Sequence, residues 1–346
     1  MASTTPNEYR NNFTLIRLVL ASLVIVSHSF ELIDNDRRHE PLTALFHTIS
    51  FGELAVDFFF VLSGYLIAKS YLSSKNAIEF AVKRALRLYP GFIAVTLIGT
   101  FLIGYYYAFD RSTYFASLNY TQTGSLILKL ISPVVPPTLL QVPRPIINGS
   151  LWTIRYEAIC YGVVLVLGLT SILKQKWAIL CIFVVTASLY LWGCSQDLLH
   201  AQGTLTRFIA FFLAGTTYFH FESLLKFKPI TQTCIAILVI ASMPFPILSQ
   251  VALLSGGTIL FFYIGQYSFG TVTNRPPKID ISYGTYLYGW PIQQILIASF
   301  GIRSSWLLLL VSLPLAMIFG YLSWILVESP ALNSKQRFLG GKRGIT

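Results

Sequence analysis

Arg17 and His28 stand eleven residues apart inside one strongly apolar stretch, FTLIRLVLASLVIVSH (13–28). An ionisable group within an apolar span costs several kcal/mol and marks a functional path unless it is paired. On a helix the two side chains are separated by roughly 16 Å along the axis, much of a bilayer's hydrocarbon core. Two carboxylates stand in other apolar stretches, Asp57 in GELAVDFFF (52–60) and Glu157 in SLWTIRYE (150–157). A histidine needs a partner on its second ring nitrogen to fix its tautomer, and a carboxylate is the usual one. His28 with Asp57 or Glu157 therefore has the composition of a general base with an orienting acid. Structural pairing of the carboxylates with Arg155 or Arg17 is the competing reading, because buried charges normally pair.

Membrane-spanning helices must position these groups. The chain is 54% hydrophobic and 11% charged, with a mean hydropathy of +0.64. A soluble domain carries about 25% charged residues, so this composition implies a polytopic membrane protein. The net charge of +11 is dispersed in short clusters between apolar runs, which argues against nucleic acid as a partner. Stretches of spanning length occur at 13–31, 52–71, 88–107, 151–173, 177–194, 205–220, 230–248, 251–269, 283–301 and 305–327. They predict an all-α bundle of about ten transmembrane helices forming a single unit over 1–346. Lys and Arg are more frequent in alternate connections when both termini are cytoplasmic, the orientation the positive-inside bias favours. His28, Asp57 and Glu157 then share the outer leaflet. The proline-containing segment 108–150 is read as partly re-entrant or lying over the membrane surface.

At the inner face, Lys83, Arg84 and Arg87 in KRALRLYP (83–90) fall on one helical surface. Pro90 suits a position near the start of a helix. The cluster fits phosphate capture from a nucleotide-bearing donor, and equally a positive-inside anchor or a lipid-headgroup contact. Trp152 and Tyr156, with Arg155 between them, are candidates for sugar binding at the outer mouth. Ser63 and Gly64 read as a small pair that admits close helix packing. Cys160, Cys181, Cys194 and Cys234 have no ligand spacing, nor do His39, His47, His200 and His220, so no metal site is expected.

Taken together these motifs resemble the acyltransferase-3 family of bacterial integral membrane acyltransferases. The resemblance rests on Arg17 with His28, FFFVLSGYL (58–66), KRALRLYP (83–90), SLWTIRYE (150–157), ISYGTYLY (281–288) and VESP (327–330), in the family's order across most of the chain. It implies a multi-pass enzyme of the bacterial inner membrane that moves an acyl group, usually acetyl, from cytoplasmic acetyl-CoA to a hydroxyl of an extracytoplasmic glycan. O-antigen, capsule and exopolysaccharide are the usual acceptors. His28 matches the family's essential histidine, Arg17 its paired arginine, Arg84 and Arg87 its basic motif, and Glu157 its glutamate. The chain departs from the family pattern at Ala158, where many members have a second acid, and at LYGWP (287–291), where many have a histidine. No fused extracytoplasmic domain is expected; a separate partner or a homo-oligomer is compatible with this. The alternative reading is a non-catalytic transporter or flippase for glycan or lipid intermediates.

Overall fold

The computed structural model describes residues 12–196, 201–266 and 279–334. The described residues form helices and no strand, apart from one isolated bridge between Ala108 and Thr138. In chain order the elements are α1 (Phe13–Asp34), α2 (Pro41–Phe46), α3 (Phe51–Leu72), α4 (Ala77–Tyr106), α5 (Tyr114–Ser117), α6 (Tyr120–Leu128) and α7 (Trp152–Leu169). There follow α8 (Lys176–Ser195), α9 (Ala201–Phe221), α10 (Pro229–Ser242), α11 (Pro246–Gln266), α12 (Ser282–Phe300) and α13 (Ser305–Asn333).

Local sequence sets several of these ends. α1 stops at Asn35, which takes the left-handed conformation with φ 60°. α3 starts at a reciprocal capping box between Ser50 and Glu53. α4 is capped by the Asn76 side chain and runs on through a π-helical stretch at Ile98–Ile103. Pro90 thus lies within a helix and not near its start, because Asn76 supplies the earlier cap. Pro244 and Pro246 end α10 and open α11, so the break expected after residue 248 falls at 243–245.

Seven described helices are long and apolar enough to cross a membrane: α1, α3, α4, α7, α8, α11 and α13. The other three expected spans are also helical, but they differ in kind. α10 has 14 residues, short for a bilayer. α9 is diluted by Thr204, Thr206, Arg207 and His220, and α12 by its tyrosines and glutamines. α12 is nearly all buried, from Ser282 to Ile297. A helix that faces protein on every side need not be uniformly apolar.

α1 packs on α3, α12 and α13, while α3 makes its most extensive contact with α9. That contact is backbone against backbone. A Cβ on Gly64 would stand 1.8 Å from the Phe212 carbonyl oxygen, and one on Gly215 1.8 Å from that of Val61. The small residue next to Ser63 is a helix-packing device, as such residues usually are. Segment 108–150 holds α5 and α6, then runs over the end of the bundle that carries His28. Trp290 donates to the Ile146 carbonyl at 2.9 Å, and Asn148 to that of Leu287 at 2.9 Å.

Candidate active site

Arg17 and His28 sit near opposite ends of α1, as a single straight helix requires. Around Arg17 is a network of four charges. Arg17 Nη1 donates to Asp280 Oδ2 at 2.7 Å, and Arg87 Nη2 donates to the same oxygen at 3.0 Å. Arg87 Nη1 also reaches Glu328 Oε2 at 3.4 Å, while Ser323 donates to Glu328 Oε1 at 3.0 Å. Asp280 is fixed in turn by the Ser282 hydroxyl at 2.5 Å. Burial alone would raise the Asp280 pKa, but Arg87 and Arg17 outweigh it and hold the carboxyl below its ordinary range. The network ties α1 and α4 to the start of α12 and the end of α13.

Above this network opens a cleft with about 880 Å³ of empty space, part of it open to solvent. Arg17, Arg84, Arg87, Glu157 and Ser282 give it a polar end, while Val56, Phe59, Phe60, Leu62 and Ile154 give it an apolar shaft. Tyr286 roofs the shaft. Its hydroxyl meets Thr153 Oγ1 at 2.6 Å and the Ser150 carbonyl at 2.7 Å, and its ring lies edge-on to Phe59. The three cations predicted at this end differ in their partners. Lys83 is paired with Glu79 at 2.8 Å, and Arg87 with Asp280 and Glu328. Arg84 has no carboxylate partner among the described residues; it lines the cleft over the Tyr161 ring at 5.9 Å, with a buried Nε that has no acceptor.

His28 lies beyond the roof. Its ring packs edge-on against Trp290, centroids 4.7 Å apart. Trp290 is four residues past Tyr286 on α12, about 6 Å further along the axis. His28 Nδ1 lies 3.1 Å from Glu31 Oε2, and both residues are 6% exposed. Glu31 accepts from Arg37 Nε at 2.9 Å and Nη2 at 2.6 Å, and its other oxygen pairs with Arg144. A Cβ on Gly149 would meet the Trp290 ring at 2.6 Å, so the 142–150 backbone sits directly on the indole that packs His28.

The carboxylate beside the histidine is therefore Glu31, not Asp57 or Glu157. Gly52 of α3 faces Ser27, its Cβ position 2.8 Å from Ser27 Oγ. Asp57, five residues on, is about 140° further round the helix. It faces α9, where Arg207 clasps both its oxygens at 2.8 Å. Asp57 is fully buried in that pair. Glu157 stands on the cleft wall, bonded to the Tyr161 hydroxyl. It is about one helical turn on the Arg17 side of Thr153, and so well short of His28. Thr153, Glu157 and Tyr161 form the cleft face of α7; Trp152, Arg155 and Tyr156 lie on other faces. Trp152 is 50% exposed and packs with Tyr156 against Phe208 of α9, while Arg155 is exposed. The structure does not bring these three to His28.

Sequence reading also passed over Glu31, Arg207 and Trp290. Glu31 had a signal, its i,i+3 spacing from His28 on one helical face. Arg207 had one too, as a lone arginine in the apolar run LTRFIAFFLA (205–214). Trp290 had none that composition exposes. Among the described residues no group of three His, Cys, Asp or Glu stands together as a metal would need; His200 lies outside them.

Known proteins resemble this chain in sequence. A family model described as an acyltransferase domain, Acyl_transf_3, matches residues 10–327. An O-acetyl transferase of Shigella phage Sf6 is 30% identical, over 93% of this chain and 96% of its own. Nodulation protein 10 of Rhizobium leguminosarum bv. viciae is 27% identical, over 94% of each. No solved structure matches the chain.

Proposed function

This chain belongs to the Acyl_transf_3 family of acyltransferase domains, and on that premise we propose that it is a membrane O-acyltransferase that moves acetyl from acetyl-CoA to a hydroxyl of a cell-surface polysaccharide. The observation that carries the reading is the cleft, polar at the Arg17 end, apolar along its shaft, and ending one helical turn from a buried histidine. Its polar end suits the phosphates of a nucleotide-bearing donor and its shaft the thin pantetheine arm. Arg84 is the guanidinium free to take phosphate. Arg17 and Arg87 hold the mouth in shape through Asp280 and add positive potential. In this orientation the Arg17 end and both termini face the cytoplasm, and the His28 end faces the acceptor.

For the chemical step, the acyl end passes Tyr286 to reach His28. His28 Nε2 takes the proton of the acceptor hydroxyl as that oxygen attacks the thioester carbonyl carbon. The carbon–sulfur bond then breaks, and the thiolate leaves with the proton that the imidazolium returns. Ester and free coenzyme A are the products, with no proton gained or lost overall. The phage relative's name, O-acetyl transferase, supports oxygen as the acceptor atom and acetyl as the group.

The test uses a polysaccharide-bearing strain expressing the parent or His28→Ala at matched membrane levels. Proton NMR of the purified polymer is expected to show O-acetyl signals that require the parent chain and vanish in the variant. Equal signals in both strains would remove His28 from the chemistry, and no acyl signal in either would reject the polysaccharide acceptor.

A further inference from the structure

Resting on the reading that His28 is the base, we infer that Glu31 is its positioning residue, held in place by Arg37 and Arg144. The geometry carries this in three steps. First, a carboxylate between two guanidiniums stays ionised and only accepts hydrogen bonds. Arg37 occupies Oε2 through Nε and Nη2, and Arg144 occupies Oε1. The Glu31 oxygen 3.1 Å from Nδ1 therefore draws the ring proton to that nitrogen, leaving the lone pair on Nε2. Second, the Trp290 ring at 4.7 Å and 76° fixes the plane of the imidazole, so the tautomer and the aim of Nε2 are set together. Third, neither holder is free to wander. Arg37 also reaches the Ser50 hydroxyl that caps α3, at 3.4 Å. Arg144 donates to Asn35 Oδ1 at 3.0 Å, at the left-handed residue that ends α1. Its own carbonyl accepts from Gln294 of α12 at 2.5 Å.

The charged groups acting on the ring are Glu31 from α1, Arg37 from the link to α2, and Arg144 from segment 108–150. α12 contributes the uncharged Trp290. Arg144 is the informative member, because it belongs to the segment that covers His28. Arg144 is one of the two holders of Glu31, so seating of that segment and orientation of the base are coupled. A plain structural staple would predict the same contacts but no effect on proton transfer, and that difference is measurable.

Membranes of the polysaccharide-bearing strain, holding the full chain, are supplied with radiolabelled acetyl-CoA and label in the polymer is counted. Glu31→Gln is expected to lower kcat about 100-fold, the scale on which partners of a functional histidine act, with the KM for acetyl-CoA within twofold of the parent. The acid limb of its pH–rate profile moves to lower pH, since the imidazolium has lost its anion. Glu31→Asp should recover at least tenfold of the loss. Arg144→Gln should lower kcat to a value between parent and Glu31→Gln, but its acid limb should not follow that of Glu31→Gln to lower pH, because it removes a cation that opposes the imidazolium; this variant also carries the test if Glu31→Gln does not accumulate. The proposal is overturned if Glu31→Gln or Arg144→Gln keeps the parental rate, or if the Glu31→Gln rate falls with an unmoved pH profile and no rescue by Asp. Should His28→Ala itself label the polymer at the parental rate, the premise fails, and the Glu31 variants are not needed to see it.

Discussion

The two ends of α1 handle charge in opposite ways. Around Arg17 the charges border an open cleft, and one guanidinium, Arg84, is left without a carboxylate. Around His28 the charges are closed over: Glu31 answers three cationic or ionisable partners, and segment 142–150 lies on top. The difference matches the two roles proposed above. A site that captures and releases a charged ligand keeps an unsatisfied group in contact with solvent. A site that must hold one proton on one nitrogen pairs the charges around it and buries them.

The sharpest way to break this division is to remove His28. His28→Ala should lower acyl transfer by about 10² to 10⁴-fold, the range general-base catalysis supplies, while acetyl-CoA binding measured by calorimetry in detergent stays within twofold. Loss of donor binding in that variant would mean the two ends are not separate. At the other end, Arg84→Ala should raise the KM for acetyl-CoA about tenfold, the worth of one charged hydrogen bond. Lys83→Ala, whose ammonium already faces Glu79, should change it less than about twofold. An equal effect from both would return the cluster to the status of a membrane anchor.

Asp280 offers a pH handle. Its folded-state pKa is depressed, so its contribution to stability is fully present above about pH 4, the unfolded aspartate value. It is lost as pH falls through the lower folded value. Acidification below pH ~4 should lower the thermal midpoint of the parent in detergent, and Asp280→Asn should remove that part of the acid dependence. Trp152→Ala should have the smallest effect, less than about twofold on transfer, because its ring faces α9 and not the cleft. A tenfold loss there would move the acceptor path to the outer face of α7.

Much of this was legible in the sequence. Arg17 and His28 at opposite ends of one helix follow from spacing alone, since a helix admits one answer for the rise over eleven residues. The family resemblance is also right. Depth, however, is not direction. Asp57 and Glu157 share an expected depth with His28, yet Asp57 points to Arg207 and Glu157 into the cleft. Sequence reports how far along a helix a residue lies, and only packing decides which neighbour it meets. The ten-span reading includes α12, whose polar residues are tolerated because the helix is buried in the bundle; its count of ten goes beyond the seven described helices that are long and apolar enough to cross a membrane. Asp280 left no trace because its partners Arg17 and Arg87 are 263 and 193 residues away.

The Tyr286 roof has a consequence for the cell as a whole. A cleft that enters a bilayer from one side risks becoming a leak, and each elementary charge that slips across 100 mV dissipates about 2.3 kcal/mol. The layer made by the Tyr286 phenol, Thr153 and the Ser150 carbonyl is thin, one hydroxyl network deep, but it divides the cleft from the far side. On the function proposed above, it would insulate electrically as well as bound the substrate path. Any group that displaces this layer has to fill the gap it opens if an energised membrane is to stay sealed.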